Sequence, residues 1–397
     1  MSSATDTNMM ALGAVTFLSL LVGGVALKVV TDHNYVLSKK FKYDNLWGST
    51  VELSIPTENF PTEKERAAMD VLMSKSTHGW YTTTDGVKLH YRKFVPKQKP
   101  AKAIIVYQHG IQDHVGNAYI TPDGRKLGMA LMEDYCDKNG YAFYCVDMQG
   151  HGFSEGTRMY VDSWQRNRDH LMGFAGFAVS EHPDKVPFFL MGYSYGGCLT
   201  LHAGYEWEKQ AASTDKTSGG MPKSFAGLIV LAPAIVGNLP PPPVVWLLKD
   251  VLAARYPQWI PFFMPNPVSA DRIWRDEYVL QQQRLPTKQK WGIDGTGNPF
   301  CLNTVVELLR ALDEVRDTTI PKLSLPLCSL QGSKDYAVVV ESTTFLKKNV
   351  ATPKEDSIIE LVNGAHHDLL ADPCAEQVIK TIDGFVKDRI GELQNKK

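Results

Sequence analysis

The chain has 397 residues, of which 44% are hydrophobic and 21% are charged, and its formal net charge is −1. This balance is that of a globular protein with a sizeable core, and it excludes the strongly basic surface that a nucleic-acid partner would need. The cysteines show no C-x-x-C or zinc-site spacing, so we expect reduced thiols in a protein that is not secreted, with disulfides as the alternative. They are Cys136, Cys145, Cys198, Cys301, Cys328 and Cys374.

The N terminus contains a long apolar run. Residues 9–27 carry no charge, and about 20 such residues span a bilayer. A cleaved signal peptide or a buried helix is the alternative, although the start carries Asp6 and no basic residue. We therefore expect residues 1–30 to anchor the protein in a membrane. Lysines follow the run and favour a cytosolic catalytic domain by the positive-inside rule; they are Lys28, Lys39, Lys40 and Lys42.

Residues 31–76 predict a linker followed by a short helix. The chain is polar and non-periodic as far as residue 60, and the capping box Thr62-Glu-Lys-Glu65 then opens the helix. From Trp80 to Val95 the alternation of apolar and polar residues predicts a β-hairpin that turns at Asp85-Gly86.

Residues 77–234 and 323–390 predict the catalytic core. Short, nearly continuous apolar runs are typical of parallel strands buried on both faces, and here they alternate with helical segments. This pattern predicts an α/β fold with a mostly parallel central sheet and helices on both faces. The predicted strands cover residues 103–107, 142–146, 188–191, 225–231, 325–330 and 357–362, and the predicted helices include 123–139 and 163–180.

Residues 235–322 interrupt the alternation. They begin near four consecutive prolines at 240–243 and contain many large apolar residues, but no clear strand pattern. We expect a helical cap, or lid, inserted into the core. Most of its apolar side chains are accounted for by packing onto the core, and a share of them would face a ligand if the substrate is apolar.

Ser194 lies at the centre of the most informative motif. The apolar residues 188–191 run into Gly192-Tyr-Ser-Tyr-Gly196, and a helical segment follows. A strand, a sharp turn and a helix with a serine at the corner form a nucleophile elbow, which needs small residues two before and two after the serine. The helix N terminus then directs its positive end toward the serine oxygen. A chance G-x-S-x-G is the alternative interpretation.

A nucleophilic serine needs a base, and the base needs an acid partner. Asp335 and His367 each follow a predicted strand, so that with Ser194 they give the order Ser, Asp, His that accompanies a nucleophile elbow. Ligands bind at this end of open α/β sheets. His366 is the adjacent candidate base, and His151 has the wrong chain position. The competing acids are Asp313, Asp317, Asp356 and Asp368.

The oxyanion that forms during acyl transfer needs two hydrogen-bond donors. We predict the backbone N–H of Tyr195, directly after the serine, and that of Ile111, with Gln112 as the alternative to Ile111. His109 is expected to be a buried, hydrogen-bonded histidine that shapes this loop. Asp147 is expected to satisfy the polar groups of a turn near the site.

The chain from about residue 78 to 390 resembles the monoacylglycerol lipase and lysophospholipase-like (serine aminopeptidase S33-type) branch of the α/β-hydrolase family, and five blocks of sequence carry the resemblance. The resemblance implies an α/β-hydrolase fold, and it selects His367 as the base over His366. The blocks are His109-Gly-Ile-Gln-Asp-His114, Asp147-Met-Gln-Gly-His-Gly-Phe-Ser-Glu-Gly156, Gly192-Tyr-Ser-Tyr-Gly-Gly197, Leu330-Gln-Gly-Ser-Lys-Asp335 and Gly364-Ala-His-His367.

The resemblance implies a serine hydrolase that cleaves the carboxylic esters of single-chain lipids, monoacylglycerol or lysophospholipid, through an acyl-enzyme and without a metal or organic cofactor. A peptidase of the S33 type, a generic carboxylesterase and an acyltransferase are alternatives on the same fold, and a non-hydrolytic ligand-binding protein is the alternative from another class. Tyrosines flank Ser194 where family elbows often have histidine and methionine, so a difference in substrate is expected there.

Overall fold

The computed structural model describes residues 40–44, 50–54, 63–212, 221–237, 241–259, 268–284 and 300–395. A central sheet of eight strands has the order β12-β11-β10-β9-β5-β8-β4-β3. Its strands are β3 (Thr77–Thr82), β4 (Lys88–Phe94), β5 (Ile104–Gln108), β8 (Ala142–Val146), β9 (Phe188–Tyr193), β10 (Phe225–Leu231), β11 (Leu327–Gly332) and β12 (Ser357–Val362).

Two small antiparallel pairs lie outside the central sheet. The pair β1 and β2 falls in the stretch for which the sequence predicts a linker, and the pair β6 and β7 comes directly before a helix. These strands are β1 (Lys40–Asp44), β2 (Thr50–Ser54), β6 (Ala118–Ile120) and β7 (Lys126–Gly128).

Helices cover both faces of the sheet. They are α1 (Glu63–Leu72), α2 (Met129–Asn139), α3 (Trp164–Ser180), α4 (Tyr195–Ala212), α5 (Pro242–Trp246), α6 (Ala270–Ile273), α7 (Glu277–Gln283), α8 (Leu302–Glu314), α9 (Glu341–Asn349) and α10 (Ala375–Asn395). A π-helical turn, Leu247–Leu252, extends α5 as far as Ala253–Arg255, and a second one, Val315–Thr319, extends α8.

The core has two layers, one on each face of the sheet, because side chains alternate along a strand. In β5, Ile104 and Val106 join the apolar cluster that contains α3 and α4 side chains. Ile105 and Tyr107 join the cluster that contains α2 and α10 side chains. The predicted α/β architecture, a mostly parallel sheet with helices on both faces, is confirmed.

The strand register brings several loops to one edge of the sheet. Gln108 at the end of β5 lies beside Val146 of β8 and Gly192 of β9, and all three strands run in the same direction. Leu231 of β10 lies beside Tyr193 and Leu330, and Gly332 of β11 lies beside Val362. The residues that follow these strands therefore meet at the carboxyl edge.

The region between β10 and β11 contains helices and no strand in the residues that the structure describes there, 241–259, 268–284 and 300–322. This agrees with the helical character expected of residues 235–322. Their division from the core as a cap stays a prediction.

The helix predicted for residues 123–139 begins later than expected. Residues 126–128 form β7, and helix α2 starts at Met129, because Gly128 has a positive φ of 60° and its backbone packs against Asn117. A Cβ atom at residue 128 would lie 2.3 Å from the Asn117 carbonyl oxygen.

Six free cysteines are found as predicted, and five of them are buried.

The predicted localisation, a membrane-anchored protein with a cytosolic catalytic domain, is wrong on the residues that the structure describes. Among them no helix combines the length and the apolar character needed to cross a bilayer. The apolar segment 9–27, on which the prediction depended, lies outside the described residues.

Candidate active site

Ser194 occupies the corner between β9 and α4, as the elbow motif predicts. Its φ is +56°, a left-handed conformation that is uncommon for a residue with a side chain. Three backbone hydrogen bonds hold it there: its N–H donates to Leu231 O at 2.9 Å, and its carbonyl accepts from Cys198 and Ala234 at 3.1 Å. Such strain is retained where the surrounding structure over-determines the backbone, and it is frequent at reactive residues.

The two glycines of the elbow are required by close backbone approach. A Cβ atom at Gly192 would lie 2.3 Å from the Gly196 carbonyl oxygen, and one at Gly196 would lie 2.3 Å from the His109 carbonyl oxygen. Both distances are far below van der Waals contact, so neither position accepts a side chain without moving the backbone. The elbow is therefore locked against the end of β5.

Asp335 and His367 form a buried pair beyond the ends of β11 and β12. The His367 Nδ1 atom lies 2.7 Å from Asp335 Oδ2, and the two side chains are 1% and 0% exposed. An aspartate on Nδ1 fixes the ring orientation and the tautomer in which Nε2 is free to accept a proton. This is the arrangement that a general base needs.

Asp335 is held as a carboxylate. Burial opposes its ionisation, but the charge and hydrogen bond of His367, the Val338 N–H and the Gln331 side chain outweigh burial and lower the pKa of Asp335. The Val338 N–H donates at 2.9 Å and the Gln331 amide at 3.2 Å. The charge is thus available to stabilise an imidazolium on His367.

The competing residues have other partners. Asp313 pairs with Arg316, and Asp356 pairs with Arg389. His366 is only half-buried, and its ring contacts the exposed Tyr336 at a centroid distance of 5.2 Å. Asp368 follows His367 directly and binds the Trp274 indole.

The predicted oxyanion donors belong to Tyr195, directly after Ser194, and to the loop after β5. Tyr195 is the first residue of α4, where a backbone N–H has no acceptor within the helix. The loop after β5 passes directly over the serine, since a Cβ atom at Gly110 would lie 3.0 Å from Ser194 Cβ. Ile111 follows in this loop and is buried.

His109 shapes the loop, as expected, and its hydrogen bonds define its tautomer. Its Nε2 accepts the Met148 N–H at 2.9 Å, so Nδ1 carries the proton and donates to the Gly110 carbonyl at 2.6 Å. Burial lowers the pKa of His109 and keeps the ring neutral. The Gly110 carbonyl belongs to the same peptide group as the Ile111 N–H, so this bond orients that N–H.

Asp147 satisfies the polar groups of the neighbouring turn, as its position predicts. It accepts from the Val115 N–H at 2.8 Å, from the Phe153 N–H at 3.1 Å and pairs with His90 Nδ1 at 2.7 Å. Burial opposes its ionisation, but His90 outweighs burial and lowers the pKa of Asp147. The bond to Val115 ties the turn to the loop that carries Ile111.

The two tyrosines of the elbow point in different directions. The Tyr193 ring lies 5.0 Å from that of His367, and a Cβ atom at Gly110 would be 3.3 Å from it. The Tyr195 ring is buried toward α3, where its hydroxyl accepts from Asn167 at 3.4 Å. Only Tyr193 therefore touches both the base and the oxyanion loop.

Sequence reasoning missed several polar side chains and a tryptophan around the site. Asp113, in the loop after β5, accepts the His114 N–H at 2.7 Å and a short bond from Asn117. Trp274 and Arg275 contact the loop that carries His367.

Within the described ranges no group of three or more His, Cys, Asp or Glu side chains could hold a metal ion.

Comparison with known proteins identifies the family of the chain. The family model described as serine aminopeptidase, S33, matches residues 99–374. Rat (Rattus norvegicus) monoglyceride lipase is 30% identical over 311 residues, which cover 77% of this chain and 89% of that protein. A monoacylglycerol lipase of Mycolicibacterium smegmatis is 22% identical over 316 residues, which cover 80% and 98%.

A solved structure shows the same fold. A soluble variant of monoglyceride lipase from Saccharomyces cerevisiae, in complex with a substrate analog, superposes with a TM-score of 0.60 at 16% identity. The superposition covers 78% of this chain and 94% of that one.

Proposed function

Because the chain belongs to the serine aminopeptidase S33 family and is an ester hydrolase of the α/β-hydrolase fold, we propose that it cleaves the carboxylic esters of single-chain lipids. Ser194, His367 and Asp335 carry the reaction. The observation that supports this most is the 2.7 Å contact of His367 Nδ1 with Asp335 Oδ2, in the loops that follow β11 and β12.

In the first half of the reaction, His367 Nε2 removes the proton of the Ser194 hydroxyl as its oxygen attacks the ester carbonyl. The carbonyl electron pair moves onto oxygen, and the N–H groups of Ile111 and Tyr195 stabilise the resulting oxyanion. When the carbonyl re-forms, the ester C–O bond breaks and His367 protonates the leaving alcohol. The product is an acyl-enzyme on Ser194.

In the second half, water replaces the alcohol. His367 takes a proton from water, the hydroxyl attacks the acyl carbonyl, and the Ser194 oxygen leaves with the proton from His367. Asp335 stays ionised throughout and stabilises the imidazolium, in keeping with its lowered pKa. No cofactor enters any step.

Monoacylglycerol is the preferred substrate class in this proposal. The two relatives described above carry monoglyceride or monoacylglycerol lipase names and are matched over 89% and 98% of their own length. Lysophospholipid is the second candidate head group.

Contact with a lipid surface is part of the proposal. None of residues 242–252 is buried, and several large apolar side chains on this helix face solvent. Val244 is 42% exposed, Trp246 58%, Leu247 44% and Val251 42%. A helix with tryptophan and aliphatic residues on an exposed face suits the boundary between head groups and acyl chains.

A panel of esters tests the substrate class. Purified protein and its Ser194→Ala variant are assayed with a monoacylglycerol, a lysophospholipid, a short-chain ester and an amino-acid amide of equal concentration. We expect turnover of the monoacylglycerol to exceed that of the other three, and Ser194→Ala to remove it. Faster amide cleavage would support a peptidase, a faster short-chain ester a carboxylesterase, and tight binding without turnover a ligand-binding protein.

A further inference from the structure

The loop that carries His367, residues 364–372, is held by a segment far away in sequence. We call this loop the base loop. Residues 273–275, the last residue of α6 and the two that follow it, contact this loop at Asp368 and Asp372. The contacts join residues that are 94 to 97 positions apart.

On the C-terminal side of His367, the contact runs through Asp368. The Asp368 N–H donates to the Ile273 carbonyl at 3.1 Å, and the Trp274 indole N–H donates to Asp368 Oδ2 at 2.9 Å. The other oxygen, Oδ1, accepts from the Leu370 and Ala371 N–H groups at 3.2 Å. One carboxylate therefore joins the turn after His367 to the indole.

On the N-terminal side of His367, the contact runs through Asp372, which is 1% exposed. Asp372 Oδ2 accepts the His366 N–H at 3.0 Å, and Oδ1 accepts from Arg275 Nη2 at 2.7 Å and from the Cys374 N–H at 2.9 Å. Charge-assisted bonds of this kind are among the stronger hydrogen bonds in proteins.

Residues 273–275 are themselves held in place by packing in the core. Ile273 and Trp274 are 1% and 2% exposed and belong to the apolar cluster on the α3 and α4 face of the sheet. A buried indole has few rotamers, so its N–H has a defined direction. The position of the base loop is thus tied to the core through residues that lie outside the sheet.

We propose that Trp274 and Arg275 are positioning residues for the base His367, acting through Asp368 and Asp372. The proposal rests on the proposed function. A proton transfer between Ser194 and His367 needs heavy atoms within hydrogen-bond reach, and a displacement of about 1 Å costs up to 10²-fold in rate. This one segment holds the residues on both sides of His367, through Asp368 and Asp372. Loosening the segment therefore displaces the base from Ser194 and lowers kcat.

The first test is Trp274→Phe, which keeps most of the bulk and removes the indole N–H. We expect kcat to fall about tenfold while KM changes less than about twofold, since the misplaced group is a base and not a substrate contact. The matched control is Trp207→Phe, a buried tryptophan of α4 that packs on Phe188 and Phe225. An equal effect of both substitutions, or a change in KM alone, would overturn the proposal.

A double-mutant cycle tests whether the indole acts through Asp368. If it does, Asp368→Ala together with Trp274→Phe lowers kcat no further than Asp368→Ala alone. Effects on kcat that multiply would show that Trp274 acts by another route and would overturn the assignment.

Arg275 provides a second, independent pair of variants on a side chain that is 34% exposed, so that folding is less at risk. Arg275→Met removes the bonds to Asp372, whereas Arg275→Lys keeps one charged donor. We expect a loss of kcat in the methionine variant that lysine partly restores; equal loss in both, or none, would contradict the role.

Ser194→Ala is measured in the same series to separate the two claims. Inactive Ser194→Ala with unchanged Trp274 and Arg275 variants would refute the positioning role alone. An active Ser194→Ala would refute the proposed function.

Discussion

The sheet and the helical region between β10 and β11 use apolar side chains in opposite ways. Every residue of β5, β8, β9 and β11 is buried, and the candidate catalytic groups follow directly at the strand ends. In α5 and its π-helical extension, none of residues 242–252 is buried. The buried strands hold the candidate catalytic groups in place, whereas α5 exposes an apolar surface that we propose contacts lipid.

The contrast is incomplete in one place. Residues 273–275 belong to the same helical region as α5, but Ile273 and Trp274 are buried like the residues of the strands. Trp274 and Arg275 also donate hydrogen bonds to carboxylates of the base loop. The region therefore has an exposed apolar part, which we propose meets the lipid surface, and a buried part, which we propose supports the base.

The largest expected effect concerns Asp113, on the sheet side. Burial, together with the nearby charge of Asp368, raises the pKa of Asp113 to about 8. An unfolded aspartate releases its proton near pH 4, so between about pH 4 and pH 8 the folded state holds a proton that the unfolded state has lost. The contribution of Asp113 to the free energy of unfolding therefore falls as pH rises through this window, and levels off above it.

Asp113→Asn removes this pH dependence while keeping an oxygen for the His114 N–H. We expect the variant to gain stability over the wild type between pH 5 and pH 8 by a few kcal/mol, roughly 1.4 for each unit of pKa difference that applies. Urea denaturation at the two pH values measures it. The control is Asp123→Asn, an exposed residue; a gap between wild type and Asp113→Asn that is equal at both pH values would contradict the prediction.

A smaller effect, on activity toward lipid in vesicles, is expected from the exposed apolar side chains of α5. Trp246→Ser with Leu247→Ser removes two exposed apolar side chains from α5, and we expect activity on monoacylglycerol in vesicles to fall about tenfold, or ~1.4 kcal/mol. Activity on a dispersed short-chain ester should not change, because no catalytic group is touched.

The control for the α5 double variant is Trp80→Ser with Leu361→Ser. The two residues lie on β3 and β12, and they are 52% and 45% exposed. Loss of vesicle activity in both double variants would show that general surface apolarity matters, and would remove the distinction between α5 and the rest of the surface.

The sequence could predict the positions of the candidate catalytic residues at the strand ends because the signals are local. Ser194, Asp335 and His367 each follow a continuous apolar run, and parallel strands bring their carboxyl ends together. The glycines of the elbow are equally local, since the sharp turn itself demands them.

The rest could not be predicted, since it depends on contacts between distant parts of the chain. Nothing around Trp274 indicates a partner at Asp368, and nothing around Asp113 indicates that Asp368 lies nearby. The start of α2 differs from the prediction for another reason: residues 126–128 pair with 118–120 in a short hairpin, and this pairing overrides the helical pattern. Residues 40–44 and 50–54 do alternate polar and apolar residues, so the sequence carries a local signal for the hairpin of β1 and β2 that the prediction of a linker did not use.

The most direct test of the central claim is the site of covalent labelling. A fluorophosphonate reacts with a serine only where a base activates the hydroxyl and an oxyanion site receives the developing charge. We expect one labelled peptide, carrying the adduct on Ser194, and no adduct in Ser194→Ala. Ser329→Ala, which alters a buried serine of β11, should label as the wild type does. An adduct that persists in Ser194→Ala, or maps to another residue, would contradict the account.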